Sequence, residues 1–510
     1  MKRNLSRSLV LASSLASAMA LAACTLEPAF HRPAAPVAQH YPTDKDDPAF
    51  ARAYPQPAAN SVSTRPAADI GWQDFFGDPR LRKLIEVALA NNRDLRVAAI
   101  NVDEARAQYR IQRADLFPSL TGNASWERSR TPAKLSPFGH VALGNEAEVA
   151  GNVNWELDFF GKLRSLSHAA FDTYLATAEA RKSAELLLVS QVADQYLTLR
   201  SLDDELAVTR DTLATAQDAY KLAQVQYRVG NQTALDLAEA QTVLEQAQAN
   251  LQSQIRLRAQ AVNALVLLLG TNLPADLPPP RPLNDQGILA DVPAGLPSDL
   301  LTRRPDIMQA EDTLRSANAN IGAARGAFFP SITLTGAFGT GSTSLASLFK
   351  PGSQVWNFGP QVSLPIFDGG ANVAGLELVH SQHQAAVAQY EKAIQSAFRE
   401  VSDGLAARGT FDDEIGALER EVSAQQQRLS LSEMRFKAGI DSYLNVITAQ
   451  NDLYSAQITL ISARLSRLTN LVDLYKALGG GWIAHTGDKP RPADVPVDYG
   501  QPGKPMQPED

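Results

Sequence analysis

The feature that most restricts the fold of this 510-residue chain is an internal repeat. Motifs recur at an offset of about 209 to 212 residues over most of the chain, which chance does not produce. The segment LFPSL at 116–120 returns as FFPSI at 328–332, and YRVG at 227–230 returns as FKAG at 436–439. The sequence therefore predicts two related halves, each built from the same elements in the same order.

Each half begins with a helix and then changes to the two-residue period of β-strands. Residues 78–114 carry helix formers and few breakers, and Pro118 ends this predicted helix. Apolar and polar residues then alternate in two segments of each half, which predicts four strands with one apolar and one polar face. Each segment has about ten residues or more, the length of a tilted strand that crosses a bilayer.

After the strands, each half adopts a seven-residue period that predicts very long helices. A strict repeat of this kind keeps one seam of a helix against a neighbour along a left-handed supercoil. The first such helix is predicted from about 163 to 229, which is roughly 100 Å at 1.5 Å per residue. The heptad positions are Val192, Leu199, Leu206, Leu213, Tyr220 and Tyr227, and in the second half Val401, Arg408, Ile415, Val422, Leu429 and Phe436.

Four strands cannot close a membrane barrel by themselves, because an open sheet edge leaves unpaired backbone groups in hydrocarbon. The smallest outer-membrane barrels have about 8 strands, so two chains would give a filled barrel, whereas three would give about 12 strands and a lumen. The apolar strand faces, with Trp126, Trp155 and Trp356, would meet lipid. The polar residues predicted to line the lumen are Glu127, Glu148, Asn154 and Glu156.

The start of the chain resembles a bacterial lipoprotein signal. A positively charged beginning precedes an apolar run that is too short for a permanent membrane helix. This run ends in LAAC at 21–24, and Cys24 is the only cysteine of the chain. We predict cleavage before Cys24 and a covalent lipid on it. The next residue is Thr25 and not the aspartate that favours inner-membrane retention, so the predicted location is the outer membrane.

The remaining composition sets the segment boundaries. No later stretch has about 20 apolar residues, so the strands are the predicted membrane-crossing elements. Pro-rich and polar segments flank and divide the two halves. The predicted segments are a signal peptide at 1–23, a lipidated Pro/Ala-rich tether at 24–68, repeat 1 at 69–273, a linker at 274–297, repeat 2 at 298–482 and a disordered tail at 483–510.

Other classes of protein find little support in the sequence. The net charge of −8 argues against nucleic-acid binding. His380 and His383 have helical i, i+3 spacing but no evident third metal ligand, and no phosphate loop or nucleophile motif is present. A periplasmic lipoprotein enzyme would need a convergent polar site that the sequence does not show. An adhesive coiled-coil lipoprotein would explain the heptads but not the four strands.

Taken together, the lipoprotein signal, the paired Phe-Pro-Ser strand entries, LPSDLLTRRPD at 296–306 and LPIFDGG at 364–370 resemble the TolC-like outer-membrane factor family. The likeness is to its lipoprotein, OprM/NodT-like branch, and it covers nearly the whole mature chain. It implies a mixed α and β fold in a homotrimer, with a 12-stranded β-barrel continuous with a 12-helix periplasmic α-barrel. It also implies a non-enzymatic channel that works with a periplasmic membrane-fusion adaptor and an inner-membrane RND-type pump. The duct of a type I secretion system is the alternative that shares this architecture.

The same resemblance assigns the periplasmic entrance to the two hairpin tips that follow YRVG and FKAG. In that family the tips narrow the tunnel and contact the adaptor, and Asp236 falls on a position that carries a gate-region aspartate. Relatives often place acidic residues just after the second tip, whereas this chain has Asn445 and Thr448 there. We therefore expect a weaker preference for cations at the constriction. The predicted tip residues are Tyr227, Gly230, Asp236, Phe436, Gly439, Asp441, Asn445 and Thr448.

Overall fold

The structure is a computed structural model that describes residues 25–42, 66–137, 139–290 and 297–488. The signal segment and Cys24 lie outside these residues. The helices are α1 (Trp72–Phe75), α2 (Pro79–Asn91), α3 (Arg93–Ala114), α4 (Lys162–Arg228), α5 (Ala234–Leu269), α6 (Pro297–Arg303), α7 (Pro305–Gly326), α8 (Ala371–Lys437) and α9 (Tyr443–Ala477). The strands are β1 (Ser119–Thr131), β2 (Ala142–Leu157), β3 (Ser331–Ser342) and β4 (Gln354–Ser363).

The two longest helices, α4 and α8, have 67 residues each. The predicted helix from 163 to 229 agrees with α4 to within one residue at each end. The heptad seam is buried at Val192 and Val401, which are both 0% exposed. The seven-residue period therefore reflects real packing of one long helix against its neighbours.

The single helix predicted over 78–114 is wrong in one respect, because Asn92 divides it into α2 and α3. Asn92 has extended backbone angles, with φ −60° and ψ 134°. Its side-chain oxygen accepts a hydrogen bond from the Leu95 amide at 2.8 Å and so starts the next helix. Asparagine favours such interruptions because its short amide competes with the helical hydrogen bonds.

The internal repeat is visible as two equivalent joints between helices. The Asn92 side-chain amide donates to the Leu268 carbonyl near the end of α5, at 2.9 Å. In the second half, the Arg304 guanidinium donates to the Ala477 carbonyl at the end of α9, at 2.8 Å. Each joint thus supplies a side-chain donor to a carbonyl that the end of a helix leaves unpaired.

The four strands form one antiparallel sheet in the order β1-β2-β3-β4. Ser125 lies opposite Glu148, which lies opposite Gly341 on the next strand. This register places most of the polar residues of the four strands on one face, because directly opposed residues share a face. The predicted lumen residues Glu127, Glu148, Asn154 and Glu156 all belong to that face.

The opposite face of the sheet is apolar and exposed. It carries the predicted lipid-facing residues Trp126, Trp155 and Trp356, together with Phe338. The exposed fractions of Trp356 and Phe338 are 74% and 67%. A face with such exposed large apolar residues indicates an interaction surface or a membrane contact.

The described residues form two compact units. The first contains the sheet and comprises residues up to Ala34, Val102–Thr177 and Gln309–Tyr390. The second comprises Ala35–Asn101, Ala178–Met308 and the residues from Glu391 onward, and it contains both hairpin tips. Each unit therefore draws on both sequence repeats.

The tether predicted at 24–68 needs a correction in its first part, because residues 25–34 pack against helices of the first unit. The Arg32 guanidinium lies 2.9 Å from the Glu311 carboxylate, whose side chain is only 5% exposed. Charged and apolar side chains in this segment supply specific contacts that a flexible linker lacks. Residues 43–65 lie outside the described part of the chain. Further contacts are Glu27 to the His168 ring and the Asn318 amide to the Pro28 carbonyl.

The start of the predicted tail is also ordered. Residues 483–488 pack on the second unit, where the Thr486 amide donates to the Asp74 carboxylate at 2.9 Å. The Trp72 amide donates to the Ile483 carbonyl at 3.0 Å. The folded body therefore extends past the boundary predicted at 482, and residues 489–510 lie outside the described chain.

Among the residues that the structure describes, no helix is both long enough and apolar enough to cross a membrane.

Candidate functional site at the hairpin tips

The two predicted tips have the same backbone geometry. Gly230 and Gly439 both have a left-handed backbone, with φ of 80° and 69°. At each tip, the glycine amide donates three residues back and the following amide donates five residues back, as in a Schellman motif. Glycine tolerates this conformation without a steric penalty. The repeated YRVG and FKAG motifs therefore encode two matching helix ends.

The first tip restarts its helix with a capping box. The Thr233 hydroxyl accepts from the Asp236 amide at 3.2 Å, and the Asp236 carboxylate accepts from the Thr233 amide at 2.9 Å. These two bonds satisfy donors that the start of α5 would otherwise leave unpaired. The predicted gate-region residue Asp236 thus has a local structural role at the start of this helix.

The second tip is held by an ion pair in place of a capping box. The Arg435 guanidinium makes two hydrogen bonds to the Asp441 carboxylate, at 2.6 and 3.0 Å, across the turn at Gly439. This hydrogen bonding by Arg435 lowers the pKa of Asp441, with a further contribution from the Asn445 side chain. Because these two parallel hydrogen bonds join the guanidinium to both carboxylate oxygens, they fix the geometry of the turn in addition to pairing the two charges.

A buried apolar cluster joins the two hairpins behind the tips. Tyr443 is 6% exposed, and its ring lies 5.1 Å from that of Phe436. Burial raises the pKa of the Tyr443 hydroxyl to about 12, so this side chain is neutral at physiological pH. The cluster consists of Ala223, Ala240, Leu429, Tyr443, Val446, Ile447, Ala449 and Leu453, which come from α4, α5, α8 and α9.

The other predicted tip residues lie on the surface. Tyr227 is 45% exposed. Asn445 and Thr448 are exposed on α9 one helical turn apart, and the Thr448 hydroxyl donates to the Leu444 carbonyl at 2.9 Å. The structure therefore brings Asp441 and Asn445 together, whereas Asp236 and its capping box belong to the other hairpin.

Sequence reasoning missed Arg435 and Tyr443 as parts of this site. Arg435 and Asp441 are six residues apart, on either side of a glycine turn. Opposite charges at this spacing could have been used to predict an ion pair across the turn. Tyr443 gave no such signal, because its burial depends on the packing of the second hairpin against the first.

The sequence indicates only His380 and His383, on α8, as possible metal ligands, with no evident third ligand. No group of three or more potential metal-ligating side chains occurs within the described part of the chain. His383 is partly buried, and this burial, with the nearby His380, lowers the pKa of its ring. The two rings are the only candidates that the sequence offered.

The comparisons with known proteins define the class as outer-membrane channels of efflux systems. A family model described as outer membrane efflux protein matches residues 84–271 and 296–480. The antibiotic efflux pump outer membrane protein ArpC of Pseudomonas putida is 46% identical over 491 residues, which cover 96% of this chain and 99% of the relative. The toluene efflux pump outer membrane protein TtgC, also of Pseudomonas putida, shows the same identity and coverage.

A solved structure leads to the same class. The open state of the Neisseria gonorrhoeae MtrE outer membrane channel matches with a TM-score of 0.80 and 39% identity, and the match covers 91% of this chain and 100% of that one. This chain belongs to the outer membrane efflux protein family. The predicted fold class, outer-membrane location and efflux role are thereby confirmed, and a type I secretion duct is not favoured.

Proposed function

We propose that three copies of this chain form a passive, non-enzymatic outer-membrane conduit for efflux of small toxic molecules. The observation that carries the proposal is the sheet, which exposes an apolar face and leaves the outer edges of β1 and β4 without partners among the described residues. An exposed sheet edge cannot persist in hydrocarbon. Pairing with further copies satisfies both edges.

The topology allows that pairing directly. Because neighbouring strands run antiparallel in the order β1-β2-β3-β4, β4 of one copy can join β1 of the next in an antiparallel ladder. Three copies close a barrel of about 12 strands, an even number with room for a lumen. The polar face then lines the lumen, with Glu127, Glu148, Asn154 and Glu156, and the apolar face meets lipid.

The long helices form the periplasmic part of the conduit in this proposal. Each chain supplies α4, α5, α8 and α9, so that a trimer has about 12 helices around its axis. The hairpin tips form the entrance, and the conduit opens when the tips of neighbouring chains move apart. Contacts with a periplasmic membrane-fusion adaptor bias this two-state change, and an inner-membrane RND-type pump supplies the energy.

The proposed cargo is inferred from the substrates named for two relatives. Those proteins are described as serving toluene and antibiotic efflux. A wide polar lumen with no deep binding site discriminates little, so we assign drugs and organic solvents to this conduit as a class. A lipid on Cys24 anchors the chain to the outer membrane, and no other cofactor takes part.

The test uses a host that lacks its own outer-membrane efflux protein but retains the cognate adaptor and pump. Cysteines replace Asn231 and Ile440, one in each tip turn, and a short thiol-reactive cross-linker joins neighbouring chains. Because Cys24 is the only native cysteine and carries lipid in this proposal, the background is low. We expect the untreated double variant to restore resistance to toluene and antibiotics.

Cross-linking should abolish this resistance and leave the amount of trimer in the outer membrane unchanged. The two single-cysteine variants, treated in the same way, control for modification without bridging. Efflux that continues after complete cross-linking would refute opening at the tips. Failure of the untreated protein to restore resistance, despite normal amounts in the membrane, would refute the conduit itself.

A further inference from the structure

The apolar face of β1 ends in two arginines at the end of the sheet farthest from the helix junctions. Arg128 and Arg130 follow Trp126 at two-residue spacing, so all three side chains lie on the same face of the strand. Their directly opposed neighbours on β2 are Asn145 and Leu143. Two cations therefore lie at one end of a face that is mostly apolar.

Carboxylates lie on the other face of the sheet at this level. Glu127 is directly opposed by Glu146, and Ser125 by Glu148. Within the described part of the chain, neither Arg128 nor Arg130 forms an ion pair with a carboxylate. The end of the sheet thus separates charge by face, with cations on the apolar side and anions on the polar side.

The two loops at this end add to the same pattern. Residues 132–141 join β1 to β2 and contain Lys134, while residues 343–353 join β3 to β4 and contain Lys350. Neither loop contains an aspartate or a glutamate. The second loop also presents Phe349, which is 76% exposed.

These observations favour a phosphate-bearing lipid surface over hydrocarbon or water alone. An arginine on a lipid-facing surface is destabilising near the middle of a bilayer and is tolerated close to the interface. Exposed aromatic rings mark the same interface in membrane proteins. The planar guanidinium matches phosphate in a bidentate geometry and is the preferred side chain for that contact. Two arginines about 7 Å apart along one strand can contact neighbouring phosphate groups.

We propose that Arg128 and Arg130, with Lys134 from the adjoining loop, bind the phosphate groups of a phosphorylated glycolipid in the outer leaflet. This inference rests on the proposed function, which makes the loop end of the sheet the extracellular end. The site holds lipid against the barrel rim at β1, the strand that the proposed trimer joins to β4 of the next copy. It therefore ties the outer leaflet to the seam between chains.

The test measures lipid binding to the purified, detergent-extracted trimer. Purified lipid A is titrated into the wild-type protein and into the double variant Arg128→Gln and Arg130→Gln, and binding is followed by native mass spectrometry. We expect the variant to bind lipid A on the order of thirty-fold more weakly, because it lacks two surface cations that attract an anionic lipid. Chemically dephosphorylated lipid A should bind both proteins equally weakly.

A matched control removes two cations elsewhere. Arg210 and Arg256 lie on α4 and α5 outside the sheet, and replacing both with Gln makes the same change in net charge. This control should bind lipid A as the wild type does. The proposed site would be overturned if the wild type and the Arg128/Arg130 variant bound lipid A equally. It would also be overturned if the wild type bound lipid A and dephosphorylated lipid A equally. Neither result would contradict the proposed channel function. A wild-type protein that is not a membrane trimer would instead overturn the proposed function.

Discussion

At the residue scale, the two glycines that follow long helices differ in what a methyl group would meet. Gly270 has φ of 65°, and a Cβ there would lie 2.4 Å from the Asn91 carbonyl oxygen. Gly230 has φ of 80°, and a Cβ there would meet no atom within 4 Å. The first position therefore combines backbone strain with a steric clash, whereas the second has strain alone.

We predict that Gly270→Ala lowers the free energy of unfolding by about 2–4 kcal/mol, because about 1 kcal/mol of strain adds to the cost of overpacking. Gly230→Ala should lower it by only about 1 kcal/mol. Urea unfolding of the detergent-extracted protein, followed by helical circular dichroism, checks both values. Equal losses at the two positions would show that the contact with Asn91 is not tight.

A second residue-scale prediction concerns the pH dependence of stability. Burial raises the pKa of Asp194 to about 7, the carboxylate of Asp473 adds to this effect, and Lys476 opposes it. One oxygen of Asp194 is buried without a hydrogen-bond partner. Because an unfolded aspartate has a pKa of about 3.9, the folded chain binds more protons between about pH 4 and pH 7. Stability should therefore fall as pH rises through this window.

Asp194→Asn removes the ionisable group and should raise the melting temperature at pH 8 relative to the wild type. Near pH 4 the two proteins should melt at the same temperature, since both are then neutral at this position. Asp211→Asn, an exposed change on the same helix, serves as the control and should show no such pH-dependent difference. A gain that is constant from pH 4 to pH 8 would contradict the titration of Asp194.

At the element scale, the second hairpin tip explains why this channel should select weakly for cations. Asn445 and Thr448 are exposed on α9, and neither side chain carries a charge. Asp441 is engaged by Arg435, which neutralises its charge locally. Three copies of such a tip would form an uncharged ring, and an uncharged constriction does not concentrate multivalent cations.

We predict that Thr448→Asp creates a ring of carboxylates and lowers the half-blocking concentration of hexamminecobalt(III) on the order of ten-fold in planar bilayers. Thr448 suits this test because Asn445 already contacts Asp441, where a second carboxylate would disturb the turn. Thr448→Asn is the neutral control and should behave as the wild type. Strong block of the wild-type channel at the same salt would contradict the prediction.

Elements with a strong period were predictable from the sequence. The heptad period predicted both ends of α4 to within one residue. The two-residue alternation predicted four strands with one polar and one apolar face, and the register of the sheet confirms these faces. Features that depend on single side chains were not predictable. Asn92 interrupts a helix through one amide, and Arg32 orders a Pro-rich segment through a buried Glu311. Neither effect has a periodic signature, because each depends on the hydrogen bonds of a single side chain.

At the scale of the whole molecule, we infer that one chain holds only part of a membrane barrel. The sheet of four strands has unpaired outer edges within the described residues, and its apolar face is exposed. Lipid covers such a face, but only another strand satisfies such an edge. Association of copies is therefore a requirement of the sheet and not an optional property of the surface.

The most direct test is the native mass of the full-length protein extracted with mild detergent from purified outer membranes. We expect a folded assembly of three chains that needs detergent for its release. Replacing Phe358 of the edge strand β4 with Pro should reduce the trimer, because its backbone amide faces away from β3 and proline removes this donor from the closing ladder. Phe358→Ala is the control for the loss of the side chain. A wild-type protein that is monomeric, or that leaves the membrane without detergent, would contradict the shared barrel.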